Sequence, residues 1–286
     1  MTRNMTWLIL LCVGMASQVQ AERVITVDGS LTEIVYALQA EDTLVAVDTT
    51  SRYPVAASAL PDVGYMRQLS TEGILALQPT LVIATTDAGP ERVFVQLQAA
   101  GVRVERINND YSVEGVLHKV ERVASALGRE AQGKVLSMRI QQQVEQVLDA
   151  LPSVDSSPNT LFLLGAGHQG LMASGHGTQA SAMMSMLQLN NVMTYRGYKP
   201  VSPEATVQAN PELVLIAYTG TQKNPELARQ LVMTDAHKQQ RIHELDTSLV
   251  LGFGPRIGEA LQALAALAYP STAPIQASAS VQASAP

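Results

Sequence analysis

Cysteine is nearly missing from this 286-residue chain: the single one, Cys12, lies in an apolar N-terminal segment together with the single tryptophan. Once that segment is removed, disulfides, thiolate-bound zinc and iron–sulfur clusters are all excluded. The fold must then rest on its apolar core, which a chain of this length can supply without covalent staples. Runs of basic residues are absent as well, which excludes the electrostatic footprint of a nucleic-acid binder. The five histidines, His118, His168, His176, His237 and His243, are scattered, and none has a neighbour at the spacing of a zinc site. No apolar run reaches the roughly 20 residues that a membrane-spanning helix needs.

The segment Met1 to Ala21 carries one charge at Arg3, an apolar stretch from Trp7 to Ala16, and the ending Val19-Gln20-Ala21. This is the pattern of a cleaved secretory signal, so residues 1–21 are expected to be removed on export. The segment has one arginine and no acid, so its loss leaves 25 acidic against 18 basic residues, a net charge of −7. At the other end, residues 270–286 run into Ala, Ser, Gln and Pro repeats, a composition that cannot bury a core and is expected to be disordered.

Between these ends, one stretch occurs twice. Ser70-Thr71-Glu72 opens a short amphipathic turn that breaks at Pro79 and gives way to the apolar run Leu81–Ala84. Ser202-Pro203-Glu204 does the same, breaking at Pro211 before Leu213–Ala217. In each copy the order is cap, helix, break, buried strand, and a Gly-Tyr pair precedes it, Gly64-Tyr65 or Gly197-Tyr198. Around the repeats, β-type runs (24–27, 44–47, 102–107, then 160–164 and 242–245) alternate with helical patterns (31–38, 90–100, 112–127, then 179–187 and 255–269). That alternation predicts an α/β protein of two similar Rossmann-like lobes, each a mostly parallel sheet flanked by helices. Residues 22–128 form the first lobe and 152–269 the second. A helical pattern over 129–151, with Ile140, Val144, Val147 and Leu148 on one face, links them as a long backbone helix. Two lobes with matched loops make a cleft.

Several residues are candidates for that cleft. Gly165-Ala166-Gly167-His168-Gln169-Gly170 formally matches the dinucleotide fingerprint, but further glycines follow where a helix should open. No acid stands about 20 residues on to hold a ribose, because none occurs between Asp155 and Glu204. The same acid-free interval holds His168, His176, Arg196 and Lys199, a locally positive rim suited to an anionic ligand. Tyr65 sits in Val63-Gly64-Tyr65-Met66-Arg67, where a free backbone, a polarizable Met66 and a cationic Arg67 surround a phenol. A phenol titrates near 10 and needs a cation or a metal to bind as phenolate at neutral pH. Glu72 and Glu204 favour the dipoles of their short helices, and their equivalent placement in both lobes fits a two-pronged docking face. Arg256, after Leu251-Gly252-Phe253-Gly254-Pro255, stands at a helix start where it meets either a ligand carboxylate or solvent.

Taken together, the leader, Gly29-Ser30 with Leu31-Thr32-Glu33, the Gly64-Tyr65-Met66-Arg67 loop, the paired Glu helices and the Leu251–Pro255 ending resemble the periplasmic haem-binding proteins of Gram-negative haem ABC importers. The paired Glu helices are shared with siderophore and cobalamin binders, and the Gly-Tyr-Met-Arg loop is the discriminating element. The resemblance implies a monomeric periplasmic protein, not an enzyme and with no catalytic residues. It would capture haem b between its lobes and deliver it to the permease dimer of an ABC importer and its ATPase. It implies Tyr65 as the ligand of ferric haem iron, with Arg67 and Met66 in support, and His168 as a contact on the second haem face. Arg196, Lys199, Arg256 and Tyr198 would be propionate contacts, and Glu72 and Glu204 would dock on permease arginines. The alternative within the class is a ferric siderophore or corrinoid (vitamin B12) binder.

Overall fold

The computed structural model describes residues 22–152, 157–165, 171–218 and 231–270. The expected leader, the tail beyond Pro270 and the helical material expected near 225–232 therefore fall wholly or largely outside the described residues, as does His168.

Four strands, β1 (Val24–Val27), β2 (Leu44–Val47), β3 (Leu81–Thr85) and β4 (Arg103–Ile107), form a wholly parallel sheet in the order β2-β1-β3-β4. Every residue of β1 and β3 is buried, as expected of strands covered on both faces. Successive residues serve opposite faces: Val24, Leu81 and Ile83 join one apolar cluster, while Ile25, Val82 and Ala84 join another. Helices α1 (Gly29–Ala37) and α4 (Val113–Ala126) supply Leu31, Ile34, Val116 and Val120 to the first cluster. Helix α3 (Glu91–Ala99) supplies Val93, Phe94 and Leu97 to the second. The edge strand β4 carries Arg103, Glu105 and Arg106, charges that discourage pairing with another chain.

The second sheet contains β5 (Asn159–Gly165), β6 (Leu171–Ser174), β7 (Asn190–Asn191), β8 (Tyr198–Pro200), β9 (Leu213–Tyr218) and β10 (Ile242–Asp246). Its order is β10-β9-β5-β6-β8, with β7 beside β5. As expected, this sheet too is mostly parallel, but it carries an antiparallel edge. β10, β9 and β5 run parallel, but β6 lies antiparallel to β5 and β8 antiparallel to β6. The cause is chain length: only residues 166–170 separate β5 from β6, too few for the crossover of a dozen or more that parallel pairing requires.

Between the sheets runs α5 (Glu130–Asp149), 20 residues and about 30 Å long, burying Gly133, Leu136, Ile140, Val144 and Val147 at helical spacing. It packs on α4 and on the closing helix α10 (Ile257–Ala268). The largest apolar cluster takes in Leu31 and Val120 from the first lobe, Ile140 and Leu261 from these central helices, and Phe162 and Leu213 from the second lobe. One core therefore continues across both lobes.

Candidate functional site

The two sequence repeats fold alike. In α2 (Thr71–Leu75) the Ser70 hydroxyl accepts the Gly73 amide at 3.4 Å; in α7 (Pro203–Ala209) the Ser202 hydroxyl accepts the Ala205 amide at 3.2 Å. Each serine is an N-cap, and each glutamate, Glu72 or Glu204, occupies the second helical position. In each copy a residue at positive φ precedes the proline that leads into a central buried strand, Gln78 at 51° in the turn after α2 and Asn210 at 38° at the C-cap of α7. Both glutamates are exposed. The Glu204 carboxyl is held below the usual carboxylate range by its own backbone amide and the Ser202 hydroxyl.

The loop ahead of α2 is fastened at both ends. Val63 N donates to Val47 O at 2.9 Å and Thr49 N to Gly64 O at 3.2 Å, so residues 61–64 run along the end of β2. Gly64 has φ 93°, a backbone conformation that side chains with a Cβ rarely adopt, which explains glycine at this turn. Beyond it, Gly89 N donates to Met66 O at 2.8 Å and Leu69 N to Gly89 O at 3.1 Å. Met66 and Leu69 are buried in the first lobe's core. Met66, expected to support a ligand, therefore acts as an anchor of the loop from below. Between the fastenings stand Tyr65, 44% exposed, and Arg67, also exposed, neither with a side-chain hydrogen bond or ion pair among the described residues.

The second lobe repeats the backbone without repeating the side-chain pose. Gly197 has φ 77°, and Gly197 N donates to His176 O at 3.0 Å. Tyr198, however, is drawn inward onto β8: its hydroxyl is buried beside Ser174, Thr178 and the Ala180 amide, without a well-formed hydrogen bond among the described residues, and burial raises its pKa. The phenol thus points into its own lobe. Around it the expected positive rim assembles in part. His176 and Arg196 pair as a β-bridge, and Lys199 lies 4.9 Å from the centre of the Tyr195 ring. Arg196 and Lys199 are exposed and make no ion pair among the described residues.

Arg256 is placed elsewhere, which corrects its reading as a ligand contact. Its Nε and Nη2 donate to the two oxygens of Glu33 at 2.8 and 2.6 Å, and its guanidinium lies 3.7 Å above the Tyr53 ring. Both partners are largely buried, so the fork is spent on joining α1 to the start of α10. Burial pushes the Glu33 carboxyl up, and the Arg256 hydrogen bonds and charge oppose that rise. Burial of Arg256 works to lower its pKa, and Glu33 outweighs it.

Sequence reading also missed a polar network at the ends of β1, β3 and β4. Lys119, fully buried on α4, donates to Asn109 Oδ1 at 2.9 Å and Ser30 Oγ at 3.2 Å, and Ser30 donates on to Asp28. Asn109 Nδ2 donates to Asp87 at 2.9 Å, and the Tyr111 hydroxyl reaches the same oxygen at 3.4 Å. Burial lowers the Lys119 pKa while Asp28 and Asp87 resist that fall. Tyr111 is half-buried, its ring 5.5 Å from that of Phe253. Burial first, then Asp87, pushes its pKa up to about 12, and it feels both Arg67 from the first lobe and Tyr198 from the second. The available signal was an isolated acid or lysine in an otherwise apolar helical stripe, Glu33 within Leu31–Val35 and Lys119 within Val116–Val123.

No group of three or more His, Cys, Asp or Glu side chains placed to hold a metal ion occurs among the described residues. An exposed phenol and guanidinium on one lobe, and exposed Arg196 and Lys199 on the other, suit an anionic ligand.

A family of periplasmic binding proteins matches residues 24–247. Among solved structures, the chain is 32% identical to the apo form of the periplasmic haem-binding protein RhuT from Roseiflexus sp. RS-1, with TM-score 0.81, covering 88% of this chain and 99% of that one. It is 34% identical to a periplasmic haem-binding protein from Pseudomonas aeruginosa, with TM-score 0.80, covering 88% and 94%. It is also 28% identical over 204 residues to the vitamin B12-binding protein of Yersinia pestis, 71% of each chain.

Proposed function

This chain belongs to the periplasmic binding protein family, the solute-binding components of ABC transporters that handle haem, siderophores and vitamin B12, and on that premise we propose that it captures haem and hands it to an ABC permease. Members of this class bind and deliver; they are not enzymes. The observation that carries the haem reading is the Gly64–Arg67 loop, which is fastened at both ends and leaves one phenol and one guanidinium exposed and unpartnered.

In this reading the Tyr65 phenolate binds ferric haem iron, tyrosine being a known axial ligand of haem. Arg67 places an exposed cation in the same loop in support of that ligand. Met66 holds the loop from the core side, and Arg196 and Lys199 face the propionates. Tyr198, turned into its own lobe, contributes through packing, and His168 stands as a second-face contact. The haem-binding relatives at 32% and 34% identity favour this assignment.

Glu72 and Glu204 are the docking prongs. Both stand exposed at the second position of matched helices, where a carboxylate is favoured by the dipole and remains free to meet a cation. Transport in vesicles containing the cognate permease tests this: Glu72→Lys with Glu204→Lys abolishes delivery while haem affinity stays unchanged. Loss of affinity in that variant would refute the docking role. The corrinoid reading, favoured by the B12-binding relative, is separated by titration with cyanocobalamin against haemin.

A further inference from the structure

Tyr111 occupies a position that none of the roles above uses. It lies just after β4, at the edge where strands of a parallel sheet end and where ligands of open α/β folds collect. Its ring meets that of Phe253, from the segment that leads into α10, at a centroid distance of 5.5 Å and a tilt of 49°. This distance falls in the range of favourable aromatic pairs. Tyr111 packs against the apolar cluster that both lobes share, which places it where they meet.

Its pose is fixed from behind. The hydroxyl is held on Asp87, Asp87 on the Asn109 amide, and Asn109 on the ammonium of Lys119, which has no exposed surface. A half-exposed ring backed by this chain of part-buried hydrogen bonds is biased toward its observed pose.

We propose that Tyr111 is a positioning residue at the floor of the cleft, its ring seated on Phe253 forming the platform against which a flat aromatic ligand rests while its hydroxyl stays on Asp87. The inference rests on the haem reading and adds a contact that is independent of iron.

The test is a pair of titrations, haemin by absorbance and metal-free protoporphyrin IX by fluorescence, on the wild-type chain and on Tyr111→Ala, Tyr111→Leu and Tyr111→Phe. The Ala and Leu variants should each weaken both ligands alike, by about tenfold, the scale of a lost aromatic contact, with the iron-ligation spectrum unchanged. The Phe variant, which keeps the ring, should stay within about threefold of wild type for both ligands. The Leu variant keeps apolar volume at the site, so it reads the platform even where the Ala variant fails to fold. Wild-type affinities in the Leu variant would overturn the inference alone, as would a changed iron spectrum, which would make Tyr111 an iron ligand. A wild-type chain that binds neither ligand would overturn the haem reading and this inference with it.

Discussion

Removing Arg256 should destabilise the whole molecule, because its pair with Glu33 is buried and joins distant parts of the chain. The side chains are 16% and 7% exposed, and the contact is bidentate at 2.6 and 2.8 Å. Breaking such a pair from one side leaves an uncompensated charge away from water, at a cost of about 3–5 kcal/mol. The guanidinium also loses its stacking on Tyr53, about 0.5–2 kcal/mol of cation–π attraction. Together these come to about 3.5–7 kcal/mol, and for a protein of this size 1 kcal/mol moves Tm by about 2–4 °C, so Arg256→Ala should melt roughly 7–28 °C below wild type. Since the core continues across both lobes, calorimetry should show one transition falling, not one lobe melting ahead of the other. Glu33→Gln removes the counter-charge but keeps an amide oxygen for the guanidinium to donate to, and its stacking on Tyr53, so it should cost less than Arg256→Ala. A cycle with Glu33→Leu and Arg256→Leu separates the pair from its surroundings. The double variant should be more stable than the sum of the two single losses implies, because it strands no charge. Single losses below about 1 kcal/mol that simply add would refute the reasoning.

Three further outcomes follow from the same geometry. Ser70→Ala and Ser202→Ala each remove an N-cap and should cost about 0.5–2 kcal/mol by denaturant titration, with near-additive effects because the helices lie in different lobes. Gly175→Ala puts a Cβ 2.1 Å from the Tyr195 carbonyl oxygen, so the β6–β8 edge must shift; the variant should lose at least about 2 kcal/mol and weaken anionic ligands through displacement of Arg196 and Lys199. The Tyr111 phenol has a folded pKa of about 12 against an ordinary 10, so its contribution to stability is full below pH 10 and lost as pH rises from there towards 12. Alkaline unfolding of Tyr111→Phe should lack that component, and identical alkaline profiles would contradict it.

Much of the architecture was legible in the sequence because its signals are local. Apolar runs bounded by glycine and proline marked β1, β2, β3 and β9 within a residue of where they lie, and Ser-x-Glu before each short helix marked both N-caps. The antiparallel strands β6 and β8 were missed because four- and three-residue strands among glycines carry no periodicity of their own; β6 pairs with β5, and β8 in turn with β6. Sites followed the same rule. The exposure of Tyr65 and the burial of Met66 agree with a glycine-hinged loop laid over an apolar core. The pairing of Arg256 with Glu33 spans 223 positions, and no local pattern distinguishes it from a ligand contact. The inward turn of Tyr198 is likewise set by β8, so the repeat's matching glycines conceal a difference in side-chain direction.

The measurement that tests the central claim most directly is an absorption titration of residues 22–286 with haemin, run in parallel on the wild-type chain and Tyr65→Phe. Wild type should saturate with a tyrosinate-ligated ferric haem spectrum, and Tyr65→Phe should lose that spectrum and bind at least about tenfold more weakly. An unchanged spectrum and affinity in Tyr65→Phe would contradict the account.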